Sequence, residues 1–240
     1  MKILHVAAIV IVIVAVGAGA YWLGSTNSAN NVVKPVREQI TSYINNQRLK
    51  GKDINLVEKF GMDFSKLNLS GIDFTKAILK GANLSYANLR GAVLEKSNLS
   101  GSNLQYANLE RVNLIGANLL ETNLSYANLS KANLEGVALQ DALLSYANLK
   151  NSNMKSATMK NIDFTYADIK NARLYGADLE GANLEGADLA HADLREANLT
   201  SVNFLGADLD FANLKNSNAT MANFEGAFMH RVRLDNAIMN

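Results

Sequence analysis

Cysteine is absent from the 240 residues, proline occurs once (Pro35), and histidine occurs three times (His5, His191, His230). Without cysteine there is no disulfide framework, no thiolate nucleophile and no sulfur-ligated zinc. Such a chain is compatible with an oxidising compartment but does not require one. Charge of one sign is missing too: 23 Lys+Arg stand against 22 Asp+Glu, a formal net charge of +1. No basic stripe with interleaved aromatics appears, so nucleic acid is not the expected partner. No nucleophile, base and orienting acid are placed to converge on a concavity. Neither catalysis nor a cofactor or metal is expected.

What the chain has in abundance is a period of five. From Phe64 to Met239 a large apolar residue falls at every fifth position without insertion, and Ala219 alone breaks the Leu/Ile/Met/Phe rule. Two residues earlier stands a small side chain (Ala82, Ala87, Ala107), and between them Asn or Asp (Asn83, Asn88, Asn108). A five-residue step advances an α-helix by roughly 140° and scatters the apolar positions around its axis. In a strand an odd period sends alternate leucines to opposite faces. Neither element buries this pattern, whereas a coil that turns one corner per five residues does.

The number of corners follows from longer similarity. Leu84-Ser85-Tyr86-Ala87-Asn88-Leu89 recurs as Leu124-Ser125-Tyr126-Ala127-Asn128-Leu129 and again over 144–149, with Leu104 to Leu109 and Phe164 to Ile169 completing the series. The shift is twenty, and a shift of fifteen finds no such match. A coil is therefore four pentapeptides with a square cross-section. In its A-[N/D]-L-x-x pattern the chain resembles the pentapeptide repeat family. That resemblance implies an all-β fold, a right-handed quadrilateral β-helix with the central Leu or Phe and the preceding small residue inward. The thirty-six pentapeptides of residues 62–240 give about nine coils and a rod roughly 40 Å long at a rung spacing of about 4.8 Å.

Ahead of the repeats the chain divides into three parts. Residues 1–24 hold an apolar run (3–23) that just reaches the ~20 residues needed to cross a bilayer as a helix. Two readings stay open: a retained anchor with Tyr21 and Trp22 at the membrane interface, or a secretory signal cleaved near Ala20. The anchor is preferred. Lys2 on a short tail places the repeat domain on the non-cytoplasmic side. Residues 25–34 read as a polar tether. Residues 35–61 read as a helical N-terminal cap: Val36, Ile40, Tyr43, Ile44 and Gln47 recur at helical spacing to about Leu49, and Gly51 ends the helix. A solenoid end exposes apolar side chains and strand edges, so it needs such a cover.

Three surface features remain. Tyr86, Tyr106, Tyr126, Tyr146 and Tyr166 share one outward column, which suits either stacking within the rod or a protein partner. Asp168, Asp188 and Asp208 share another, continuing the asparagines at 88, 108, 128 and 148; they extend that hydrogen-bonding ladder or recruit a cation. His191 and His230 fall about two coils apart, too far to share a tetrahedral metal without other ligands. The last coil carries Met221, Phe228 and Ile238 in place of polar residues, with Phe211 one coil below. This end is expected to support self-association or partner contact, or else to fold over itself as a plug. The quinolone-resistance branch of the family resembles duplex DNA and binds DNA gyrase, which requires a strongly acidic rod. Here residues 62–240 hold sixteen Lys+Arg and nineteen Asp+Glu, and Lys150, Lys155, Lys160, Lys170 and Arg173 interrupt any acidic track. A non-catalytic, membrane-tethered scaffold or adaptor rod that mediates protein–protein contact is the preferred function, and gyrase mimicry the alternative.

Overall fold

The computed structural model describes residues 35–240 and, ahead of them, the backbone of two short strands. Strand β1 (Ile13–Ala15) pairs antiparallel with β2 (Ala20–Trp22), Ile13 opposite Trp22. Those six residues are extended where the anchor reading expected a helix. The remainder of the expected anchor (1–24) and the tether (25–34) lie outside the described residues, as do the side chains of Tyr21 and Trp22. Among the described residues no helix is long and apolar enough to cross a membrane.

Helix α1 (Val36–Leu49) starts after Pro35 and buries Ile40 and Ile44, with Val36 and Tyr43 partly covered beside them. Gly51 follows at φ +61°, a left-handed conformation that stops the helix without a Cβ clash. Strand β3 (Ile54–Asn55) then lies parallel to β4 (Ala77–Ile78). The short helix α2 (Leu56–Phe60) is capped by Asn55, whose side-chain oxygen accepts from the Glu58 N–H at 3.0 Å.

From Asp63 onward every ladder contact joins residues twenty apart, from Asp63 with Asn83 to Asn218 with Ile238, all parallel. The coil is four-sided; three sides would have paired residues fifteen apart. Every fifth residue from Lys66 to Asn236 has a positive φ, most of them non-glycine, and these residues turn the corners. The conformation costs about 1–2 kcal/mol at each non-glycine corner, so the fold survives only because each side returns more than that. Burying one leucine contributes roughly 1.5–3 kcal/mol, and the inward leucines from Leu84 to Leu214 are essentially inaccessible.

In a consensus pentapeptide every backbone N–H has a partner. In Ala107-Asn108-Leu109-Glu110-Arg111 the Ala107 N–H donates to Leu104 across the corner (3.0 Å), and the Asn108 N–H donates to Ala87 in the coil before (2.9 Å). The Leu109 and Arg111 N–H groups donate to Asn128 and Ser130 in the coil after (2.7 and 3.0 Å). The remaining N–H, that of Glu110, finds the Asn108 side-chain oxygen at 3.1 Å. This is why Asn or Asp stands beside the central leucine: its side chain accepts from the one donor that the ladder leaves over.

Coil one has no coil before it, and α1 supplies the missing donors. Arg37 donates to the Asn68 and Ser70 carbonyls (3.2 and 2.7 Å), and Arg48 donates to the Asp73 carbonyl (3.0 Å) while pairing with its carboxylate at 2.8 Å. On a third side β3 provides the ladder.

Candidate interaction surfaces

A corner residue cannot point inward, so a tyrosine there stands at the surface, and identical corners stack. Tyr86, Tyr106, Tyr126, Tyr146 and Tyr166 form one continuous ladder with ring centroids 4.8, 4.9, 4.9 and 5.3 Å apart and nearly parallel planes. Each ring is about half exposed, from 45% to 56%. The inner rings have a neighbour on both faces. Below Tyr166 the next corner is Gly186, where a Cβ would lie only 2.4 Å from the Tyr166 ring. Glycine is needed there twice over, for its φ of +62° and for the ring that leans across it. The inner π-faces are thus occupied by the rod itself. What the strip offers is a row of phenol edges and hydroxyls at one-rung spacing, and no hydroxyl of the five has a protein partner among the described residues.

Two of the three aspartates in the column are neutralised from within. Asp168, Asp188 and Asp208 stack as expected, but Lys150 Nζ lies 2.7 Å from Asp168 and Lys170 Nζ lies 2.6 Å from Asp188. Each lysine reaches forward from the coil before. The hydrogen bond to Asp188, helped by the field of that carboxylate, holds the Lys170 ammonium above its ordinary pKa. The cation recruited to the ladder is a lysine of this chain. Lys160 likewise joins Asp178 (3.4 Å) and Glu180 (2.6 Å).

His191 and His230 meet the same ring instead of each other. His191 stacks on Phe211 at 4.8 Å, and His230 meets Phe211 edge-on at 5.5 Å. Among the described residues no group of three or more His, Cys, Asp or Glu could hold a metal ion. One cluster went unnoticed in the sequence. Tyr175 lies between Lys155 and Arg195, whose charged groups sit 5.8 and 5.5 Å from its ring centre, and its hydroxyl donates to Glu196 at 2.6 Å. That bond to Glu196 pushes the Tyr175 phenol up, while Arg195 forks onto Asp193 with two contacts of 2.7 Å. The signal was available: Lys155, Tyr175 and Arg195 are spaced by twenty, an aromatic between two cations.

At the last coil Met221, Phe228 and Ile238 are 73%, 64% and 55% exposed, and Phe211 is 40% exposed. They leave the last coil largely open to solvent. Inward residues there are open too: Leu234 and Met239 are 38% and 40% exposed, because nothing among the described residues covers them.

A family model described as "Pentapeptide repeats" matches residues 61–95, 102–141, 142–181, 177–216 and 206–240, with eight copies. Among solved structures the chain is similar to HetL, a pentapeptide repeat protein involved in heterocyst differentiation regulation from the cyanobacterium Nostoc sp. strain PCC 7120. That match has 33% identity over 81% of this chain and 92% of HetL, with a TM-score of 0.35. It is also similar to QnrB1, a plasmid-mediated fluoroquinolone resistance protein (17% identity, 72% of this chain and 90% of that one, TM-score 0.36). A third match is a pentapeptide repeat protein from the Arabidopsis thaliana thylakoid lumen (30% identity, 44% and 63%, TM-score 0.25). No curated protein matches the chain.

Proposed function

From the premise that the chain belongs to the pentapeptide repeat family, whose fold is the right-handed quadrilateral β-helix, we propose that it is a non-catalytic rod displaying side chains to a protein partner. Residues 3–23 tether it to a membrane and residues 35–61 cap its first coil. The last coil, with Phe211, Met221, Phe228 and Ile238, is a second contact surface that supports self-association. The observation that carries this reading is the tyrosine strip: five half-exposed phenols whose inner faces are occupied and whose hydroxyls have no partner among the described residues. Tyrosine combines apolar area with a polar tip at low entropic cost, and is enriched in interface cores for that reason.

The gyrase-mimic alternative gains nothing from the geometry. A DNA-like rod needs an uninterrupted acidic surface, and Lys150, Lys160 and Lys170 sit on the carboxylates that would form it.

The test is a pull-down from detergent-solubilised membranes with the full chain and two variants. Tyr106→Ser/Tyr126→Ser breaks the strip, and Tyr106→Phe/Tyr126→Phe keeps the stack but removes the hydroxyls. Partners lost from both variants support recognition through the phenol edge. Undiminished capture by the serine variant shows that the strip only braces the rod.

A further inference from the structure

Charge is segregated along the axis of the chain. Residues 35–96 hold ten Lys+Arg and six Asp+Glu, a net of +4, whereas residues 97–240 hold eleven and sixteen, a net of −5. Arg48, Arg90 and Lys96 of the first segment are ion-paired, but six of its lysines are not. Along the rod Lys150, Lys160, Lys170 and Arg195 are in ion pairs, and Lys155 and Arg231 lie over aromatic rings. At the capped end Lys50, Lys52, Lys59, Lys66, Lys76 and Lys80 are all exposed, and none has an ion pair among the described residues. Several gather around β3. Lys52 and Lys76 line a cleft of about 460 Å³ beside it with Arg48, and Lys59 lines a second cleft of about 390 Å³ that shares Asp53 with the first.

We propose that this capped end docks on an anionic lipid headgroup surface. The inference rests on residues 3–23 being a membrane segment, and adds to it how the rod is held once tethered. Only residues 24–34 separate that run from Pro35, and eleven residues span at most roughly 40 Å when fully extended. The lysine cluster is therefore kept near the bilayer at high effective concentration. A lysine close to an anionic leaflet changes surface affinity roughly fivefold, within a screening length of about 8 Å at physiological salt. The acidic remainder of the rod is repelled by the same surface. The rod then stands on its capped end, with the tyrosine strip and the last coil directed away from the lipid.

Because there is no native cysteine, single introduced thiols report position directly. Full-length protein carrying Asn46→Cys on α1, or Asn236→Cys in the last coil, is labelled with a fluorophore. It is reconstituted into vesicles of phosphatidylcholine, alone or mixed with phosphatidylglycerol, that contain a headgroup quencher. Flotation on the neutral vesicles first tests the membrane segment by itself. The proposal expects strong quenching of the residue-46 label in anionic vesicles, several-fold weaker quenching in neutral ones, reversal by high salt, and little quenching at residue 236 throughout. Lys52→Gln/Lys59→Gln/Lys76→Gln/Lys80→Gln should abolish the anionic effect while flotation and circular dichroism stay unchanged. Equal quenching at residue 46 in both vesicle types, or an unaltered signal in the lysine variant, overturns the proposal. Failure to float on neutral vesicles with charge-dependent flotation on anionic ones would reject the membrane segment and keep the lysine surface. Failure to float on either rejects both.

Discussion

Removing one tyrosine from the middle of the ladder should cost about twice what removing the end one costs. Tyr126 has a parallel neighbour on each face, at 4.9 Å from Tyr106 and 4.9 Å from Tyr146, whereas Tyr86 has one, at 4.8 Å from Tyr106. An aromatic pair contributes about 0.5–1.5 kcal/mol beyond its buried area. Tyr126→Ala is therefore expected to lose about 1–3 kcal/mol and Tyr86→Ala about half of that. Alanine keeps a Cβ at the left-handed corner, so the backbone cost at φ +61° is unchanged in Tyr126→Ala. Tyr126→Gly should recover about 1 kcal/mol of the loss. The assay is urea-induced unfolding followed by circular dichroism, with the transition midpoints compared at a common slope. A double-mutant cycle supplies the control. Tyr106 and Tyr126 should couple by about 0.5–1.5 kcal/mol, and Tyr86 with Tyr146, three rungs apart, should not couple. Equal and negligible losses at both positions, or equal coupling for touching and separated pairs, would refute the stacking account.

Further outcomes follow from the same structure. Gly101→Ala should cost about 1 kcal/mol through backbone conformation alone, since φ is +64° and nothing lies within 4 Å of the new methyl, while Lys131→Gly should stabilise by a similar amount; thermal unfolding of the pair checks both. Ser102 and Ser97 both point inward, but only Ser97 has a partner, the Leu94 carbonyl at 2.7 Å, so Ser97→Ala should destabilise by about 1 kcal/mol and Ser102→Ala should be neutral or stabilising. Arg48→Met should loosen the first coil by about 1 kcal/mol, seen as faster amide exchange around Asp73. Burial raises the Asp73 carboxyl, yet Thr75 and Arg48 together hold it below its ordinary 3.8. Its contribution is therefore present above the unfolded value and is lost as the pH falls through the folded one. Acid titration of stability should be shallower in Arg48→Met than in the parent.

The period of five and its twenty-residue echo made the rod legible because each coil repeats the same burial problem, so one error in register would have sent leucines to the surface. The tyrosine column was legible for the same reason. The lysines on Asp168 and Asp188 were harder to see. They sit eighteen residues before their partners, across a rung and a corner, and a charge column in sequence does not show which way a flexible side chain reaches. Arg37 and Arg48 were readable only as polar positions on an amphipathic helix. Their use as stand-ins for a missing coil depends on where α1 crosses the end of the rod. The Tyr175 cluster occurs once, so no repetition marks it in the sequence.

The vertical alignment of residues twenty apart underlies every surface described above, and a pair of cysteines tests it most directly in this cysteine-free chain. Asn151 and Asn171 are exposed corner residues one full circuit apart. Their spacing of about 4.8 Å lies within the Cα separation that a disulfide spans. Ser156 and Asn171 are fifteen apart, on different corners. Under mild oxidation Asn151→Cys/Asn171→Cys should form an internal disulfide rapidly and without loss of stability, while Ser156→Cys/Asn171→Cys should stay reduced. Efficient closure of the second pair, with the first left open, would contradict the four-sided coil.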